Sequence, residues 1–186
     1  MSTTNSQTDI SGMLGEVVSV RKVGRRVVVK NRPKRKMGKL SDKMATVQEK
    51  FLEASRYADR QIAKANSRAL YATGITTKKR NAYVVAVTDY LSAPKVSSIE
   101  TIDYHGAIGN PIVVHATDDF MVTKVKIVIT NAAGEVIEQG EAGPDAEEVN
   151  LWEYKATAAN PILTGTKIRA VAYDRPGNTG TAEIVL

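Results

Sequence analysis

Apolar and polar positions alternate through the last part of the chain, and the alternation predicts a series of short strands. Pro111-Ile-Val-Val-His-Ala-Thr117 is closed by Asp118-Asp119. Val125, Ile127 and Ile129 then fall on one side, with Lys124, Lys126 and Thr130 on the other. A period of two is the signature of a half-buried strand. Asn131-Ala-Ala-Gly134 supplies a turn, and Val136-Ile137 opens the return strand. Trp152 and Tyr154 alternate with Glu153 and Lys155. Ile168 to Tyr173 is almost wholly apolar, and Asp174-Arg-Pro-Gly-Asn178 separates it from a last strand, 181–186. Upstream, 96–104 reads as the first strand, anchored by Ile99 and Ile102, with Gly106, Gly109 and Asn110 breaking the chain before Pro111. Strands at this spacing with no helical period between them predict an antiparallel β-sandwich over 95–186. Trp152 and Tyr154 are its expected core anchors.

The first half of the chain has other periods. Two β-branched runs, Val17-Val-Ser-Val20 and Val27-Val-Val29, flank Gly24 and predict a hairpin within 14–40. Alternation sets Val18 with Val20 on one face, and Val27 with Val29 on one face of the partner strand. A hairpin this small must pack on something else to be stable. Ser41 can cap a helix with Asp42 in its first turn. Met44, Val47, Phe51, Ala54, Ala58 and Ile62 recur at three- and four-residue intervals as a narrow amphipathic stripe. Asn66-Ser67 restarts a short helix closed by Gly74. Thr76-Thr77 is the expected cap of a third, with Val84, Val87 and Leu91 on its apolar face and Pro94 as its stop. The segment 41–94 is therefore helical. The Ser/Thr-rich residues 1–13 are expected to be disordered and, lacking an apolar core, do not read as a signal peptide. The expected class is α+β: a basic β-hairpin arm, a small helical segment and a terminal β-sandwich.

Charge divides the chain more sharply than its formal net charge of +6 suggests. Residues 1–100 carry 20 basic and 8 acidic side chains, whereas 101–186 carry 6 and 12. From Arg21 to Lys39 there are ten Lys/Arg and no acid. Such a run suits phosphates. It equally suits an acidic protein surface or a solvated arm, and no aromatic residue lies in it to stack on bases. The acidic stretch 141–149 could receive a basic arm from a neighbour, or serve simply as a solvated connection. The expected partner-binding residues are Val18, Val20, Val27 and Val29 for strand contact. Arg21, Lys22, Arg25, Arg26, Lys30, Arg32, Lys34, Arg35 and Lys36 would supply charge. With 186 residues the chain can bury a core without staples, and the absence of cysteine removes disulfides, thiol nucleophiles and most zinc sites. No apolar run approaches the roughly 20 residues of a membrane span.

Two resemblances follow from these residues. Ala116-Thr-Asp-Asp-Phe-Met-Val122, the Val-Lys-Ile-Val-Ile strand, Gly134, Trp152 with Tyr154, and Ala172-Tyr-Asp-Arg-Pro-Gly-Asn178 resemble bacterial immunoglobulin-like domains of repeat-bearing surface and phage proteins. The inter-sheet disulfide of antibody domains has no counterpart here. Gly12 to Lys39, Phe51 to Ala58, and Ala82-Tyr83 to Pro94, taken in order, resemble an uncharacterised group of bacterial and phage-associated proteins. That group combines a hairpin, a helical segment and a terminal immunoglobulin-like domain. The likeness implies domain order, with assembly in a virion or outside the cell left open, and no catalytic residues.

Catalytic motifs are scarce. There is no phosphate-binding glycine loop, dinucleotide fingerprint or nucleophile elbow. His105 and His115 are too few for a histidine metal cluster, and His115 reads as a sheet residue. Asp118, Asp119, Asp174 and Asn178 fall in two turns expected at one end of the sandwich. They could hold calcium, or serve simply as turn formers. No cofactor is expected. Three functions remain. The first is a non-catalytic structural or assembly protein docking through its basic arm, as a homo-oligomer or in a larger assembly. The second is nucleic-acid binding through 21–39. The third is a carbohydrate- or surface-binding module.

Overall fold

The computed structural model describes residues 12–14, 18–23, 26–31 and 41–186, with backbone alone for 12–23. The expectations for the tail to residue 11, the Gly24 turn, and Arg25, Arg32, Lys34, Arg35 and Lys36 lie outside the described residues. The chain divides into two compact units, Met1–Ser41 and Asp42–Leu186.

In the first unit, β1 (Gly12–Leu14), β2 (Val18–Val23) and β3 (Arg26–Asn31) form an antiparallel sheet in that order. The β2–β3 pairing is the predicted hairpin, with Val20 opposite Val29 and Lys22 opposite Val27. Strand β1 is an addition that the polar sequence around it conceals: Gly12 pairs with Val20 and Leu14 with Val18.

The second unit begins with three helices, α1 (Asp42–Ile62), α2 (Ala65–Ala72) and α3 (Ala82–Leu91). Their shared core is Ala54, Tyr57, Ala58, Tyr71, Val85 and Ala86. The α1 stripe is only partly buried, since Val47 and Phe51 are 67% and 55% exposed. The reason is length. At about 1.5 Å per residue, α1 is twice as long as α3, so its first turns run past the helix it packs on. The α3 cap also differs from expectation. Asn81, not Thr76-Thr77, accepts the Val84 amide at 2.9 Å, while Thr76 Oγ1 accepts from Lys79 N in a preceding turn. Leu91 is exposed and Val84 only partly buried, whereas Val87 is buried as expected, together with Val85 and Ala86.

Seven antiparallel strands follow: β4 (Lys95–Glu100), β5 (Pro111–Thr117), β6 (Val122–Thr130), β7 (Val136–Pro144), β8 (Leu151–Lys155), β9 (Lys167–Asp174) and β10 (Thr179–Val185). Their order is β10-β9-β6-β7-β8-β5-β4. The sheet is nearly closed into a barrel. Strand β7 runs beside β6 for most of its length, and only its end, Gly143 and Pro144, pairs with β8. The two edges approach at Gly180, where an added Cβ would overlap the Pro94 carbonyl. The core draws on alternate positions of four strands: Ile112, Val114 and Ala116; Val125, Ile127 and Ile129; Trp152 and Tyr154; Ile168, Ala170 and Ala172. Each large aliphatic buried there contributes about 1.5–3 kcal/mol. The first strand ends earlier than expected. A turn returns Tyr104 N to Thr101 O, leaving Ile102 83% exposed, and Tyr104 takes the buried place.

Candidate functional site

Among the described residues of the N-terminal unit, β3 is an edge strand. Val27 and Val29 are more than half exposed, and Arg26 and Lys30 are exposed beside them. Val18, Val20, Arg21 and Lys22 lie on the paired strand β2. The register thus brings both valine runs of the predicted arm into one small sheet.

The acidic stretch 141–149 is part strand and part loop. Strand β7 continues to Pro144, and Asp145 Oδ1 then accepts the amides of Glu147 and Glu148, each at 2.8 Å. These two amides hold the Asp145 carboxyl below the usual carboxylate range. Beside this turn lies an open groove of about 400 Å³ lined by Phe120, Met121, Glu148, Val149, Leu151 and Trp152, among others. Glu147 and Glu148 are exposed on the same turn.

The two aspartate turns do meet at one end of the sandwich, where the helices cover them. Asp118 Oδ2 accepts the amides of Phe120 and Met121. Asp119 pairs with Lys79 at 2.6 Å. Asp174 Oδ1 accepts the Gly177 and Asn178 amides, and its Oδ2 accepts from Asn178 Nδ2 at 2.6 Å. Asn178 Nδ2 also donates to the Tyr90 and Ser92 carbonyls, tying the β9–β10 turn to α3. The four calcium candidates are thus engaged in turns, an ion pair and a helix contact, as the alternative reading of turn formers has it. Among the described residues no cluster of three acidic, His or Cys groups has an arrangement that could hold a metal.

Asp89 stands within this joint; in sequence it is one polar residue in an otherwise apolar helix. It is fully buried, and its Oδ2 accepts from Tyr71 Oη at 2.6 Å. Tyr71 in turn meets Tyr57 Oη at 2.7 Å and stacks on Phe120, their ring centroids 4.8 Å apart. Arg175 lies over the Tyr71 ring and donates to Ser67 Oγ at 3.0 Å.

The remaining candidates have structural surroundings. Trp152 and Tyr154 are 8% and 4% exposed, within the sandwich core. His115 lies 3.3 Å from Glu100 across the β5–β4 pair, half-exposed. No helix among the described residues is long and apolar enough to cross a membrane.

No protein-family model matches the chain, and no curated protein matches it. Among solved structures the chain is similar to a tetra-tandem repeat in the extending region of a large adhesion protein. Identity is 22%, the match covers 50% of this chain and 23% of that chain, and the TM-score is 0.37. A likeness this slight bears on neither fold nor function.

Proposed function

We propose that the chain is a non-catalytic structural protein that associates with further copies of itself through its basic N-terminal sheet. In this reading Asp42–Leu186 is the rigid body and an immunoglobulin-like sandwich forms its larger part. The strand order supports that assignment: β4-β5-β8 form one three-stranded layer and β7-β6-β9-β10 the other, with Greek-key connections between them. The observation that carries the functional reading is the exposed, basic edge strand β3, set against an acidic turn in the opposite half of the sequence. An edge strand with protruding valines is a template for strand addition, and opposite charges select the partner surface. A basic surface meeting a different, acidic surface is head-to-tail, so the contact propagates into rings or filaments.

Sedimentation velocity of the full-length protein tests this by charge swap. Arg26→Glu with Lys30→Glu, or Glu147→Lys with Glu148→Lys, weakens association by at least roughly tenfold. Combining the two pairs restores much of it. A wild-type chain that stays monomeric at high concentration overturns the reading. Steeply salt-dependent capture of an unrelated oligonucleotide, lost on reversing Arg26 and Lys30, would favour nucleic acid instead.

A further inference from the structure

We propose that Asp89 and Asp118 share one proton, and that this shared proton latches the helices to the end of the sandwich in a pH-dependent way. Asp89 uses Oδ2 for the Tyr71 hydroxyl and Asp118 uses Oδ2 for two backbone amides. The other oxygen of each, Oδ1, is shielded from solvent and meets no donor. Buried carboxylate oxygens without a donor are costly. The two carboxyl groups lie within hydrogen-bonding reach of each other. Two ionised carboxylates supply acceptors only, so a bond between them requires a proton on one. One proton between the two fills both orphaned positions.

The surroundings favour keeping it there. From α2 comes the Tyr71 hydroxyl and from α1 the Tyr57 hydroxyl. From the β5–β6 loop comes Asp118 itself, and from β9 Asp174, a third acid. Arg175 faces the same joint, but its guanidinium is engaged with Ser67 and the Tyr71 ring. Lys79, the neighbouring ammonium, is committed to Asp119. The Asp89 carboxyl is pushed up to about 7: burial raises it most, the Tyr71 hydrogen bond pulls it down, and Asp118 and Asp174 add to the rise. Both Tyr57 and Tyr71 hydroxyls are likewise raised, chiefly by burial, and stay protonated.

The direction of the effect follows from linkage. Asp89 holds its proton in the folded chain up to about pH 7 but releases it at an ordinary carboxyl value when unfolded. Its contribution is therefore complete in acid and is lost as pH rises through about 7. Below neutrality α3 is tied to the β5–β6 loop; above it, two like charges face each other at the joint. The inference does not depend on self-association.

Thermal melting of the full-length chain at low protein concentration, from pH 4.5 to 8.5, tests it. The wild-type midpoint falls by roughly 5–10 °C across this range. In Asp89→Asn and in Asp118→Asn an amide N–H replaces the shared proton, so each variant keeps the contact at high pH. In Asp89→Asn the slope is roughly halved or less, the remainder coming from Asp174, whose carboxyl burial also raises; in Asp118→Asn it is reduced but not abolished, because Asp89 stays buried and still titrates. If Asp118→Asn retains the wild-type slope, Asp89 is raised without Asp118 and the shared proton is excluded. Should a variant fail to fold, carboxyl-carbon NMR of the wild type decides the matter. A resonance of this pair titrating near pH 7 supports the latch, and completion of both titrations by pH 5 overturns it.

Discussion

Glu138 gathers four donors on a single oxygen: the Tyr154 hydroxyl at 2.9 Å, the Thr157 amide and hydroxyl at 2.7 Å each, and the Ala158 amide at 3.2 Å. Burial by itself would raise this carboxyl; the donors from Thr157, Tyr154 and Ala158 outweigh it and hold it below the ordinary value. Its stabilising effect is therefore present above the unfolded pKa and lost as pH falls through the lower folded one, opposite in sense to Asp89. Glu138→Ala leaves these donors without their acceptor and costs about 2–4 kcal/mol in denaturant unfolding, with Glu138→Gln losing less. The buried place of Trp152 was legible from its alternation with Glu153. The role of Glu138 was not, because all four donors lie 16 to 20 residues downstream and a glutamate in a strand ordinarily faces solvent.

Among the elements, the strands were easiest to anticipate, since period two needs only the nearest neighbours in sequence. Their ends were harder. Ile102 has the composition of a strand residue, but the Thr101–Tyr104 turn turns it outward. Likewise Val47 and Phe51 continue the apolar period of α1 beyond the reach of α3. The near-closure of the sheet rests on one small residue. At Gly180, β10 passes so close to Pro94 and Lys95 that any side chain must displace backbone. Gly180→Ala is expected to cost about 2–3 kcal/mol and to accelerate amide exchange in both edge strands, β4 and β10. A variant with wild-type stability would mean that the two edges separate readily. An edge covered in this way is also withdrawn from strand addition, which leaves β3 as the more available edge.

Both apolar clusters, that of the helices and that of the sandwich, lie within Asp42–Leu186. Removing residues 1–41 is therefore expected to leave the melting midpoint within about 2 °C of the full chain; a larger drop would assign the N-terminal sheet a share in the core. The sequence was sufficient for the strand–helix–strand order, the β-rich second half, the Trp152 core position and the opposed charge of the two halves. Each of these depends on periodicity or composition, which local sterics and solvation translate directly into structure. The near-closed sheet, the third strand of the N-terminal sheet and the joint of Tyr57, Tyr71, Asp89, Asp118 and Asp174 came only from the folded chain. Asp89 and Asp118 stand on separate elements, and each looks in sequence like an ordinary helix or turn residue. Long-range packing shields the Oδ1 of each from solvent, and the proposed shared proton depends on that shielding.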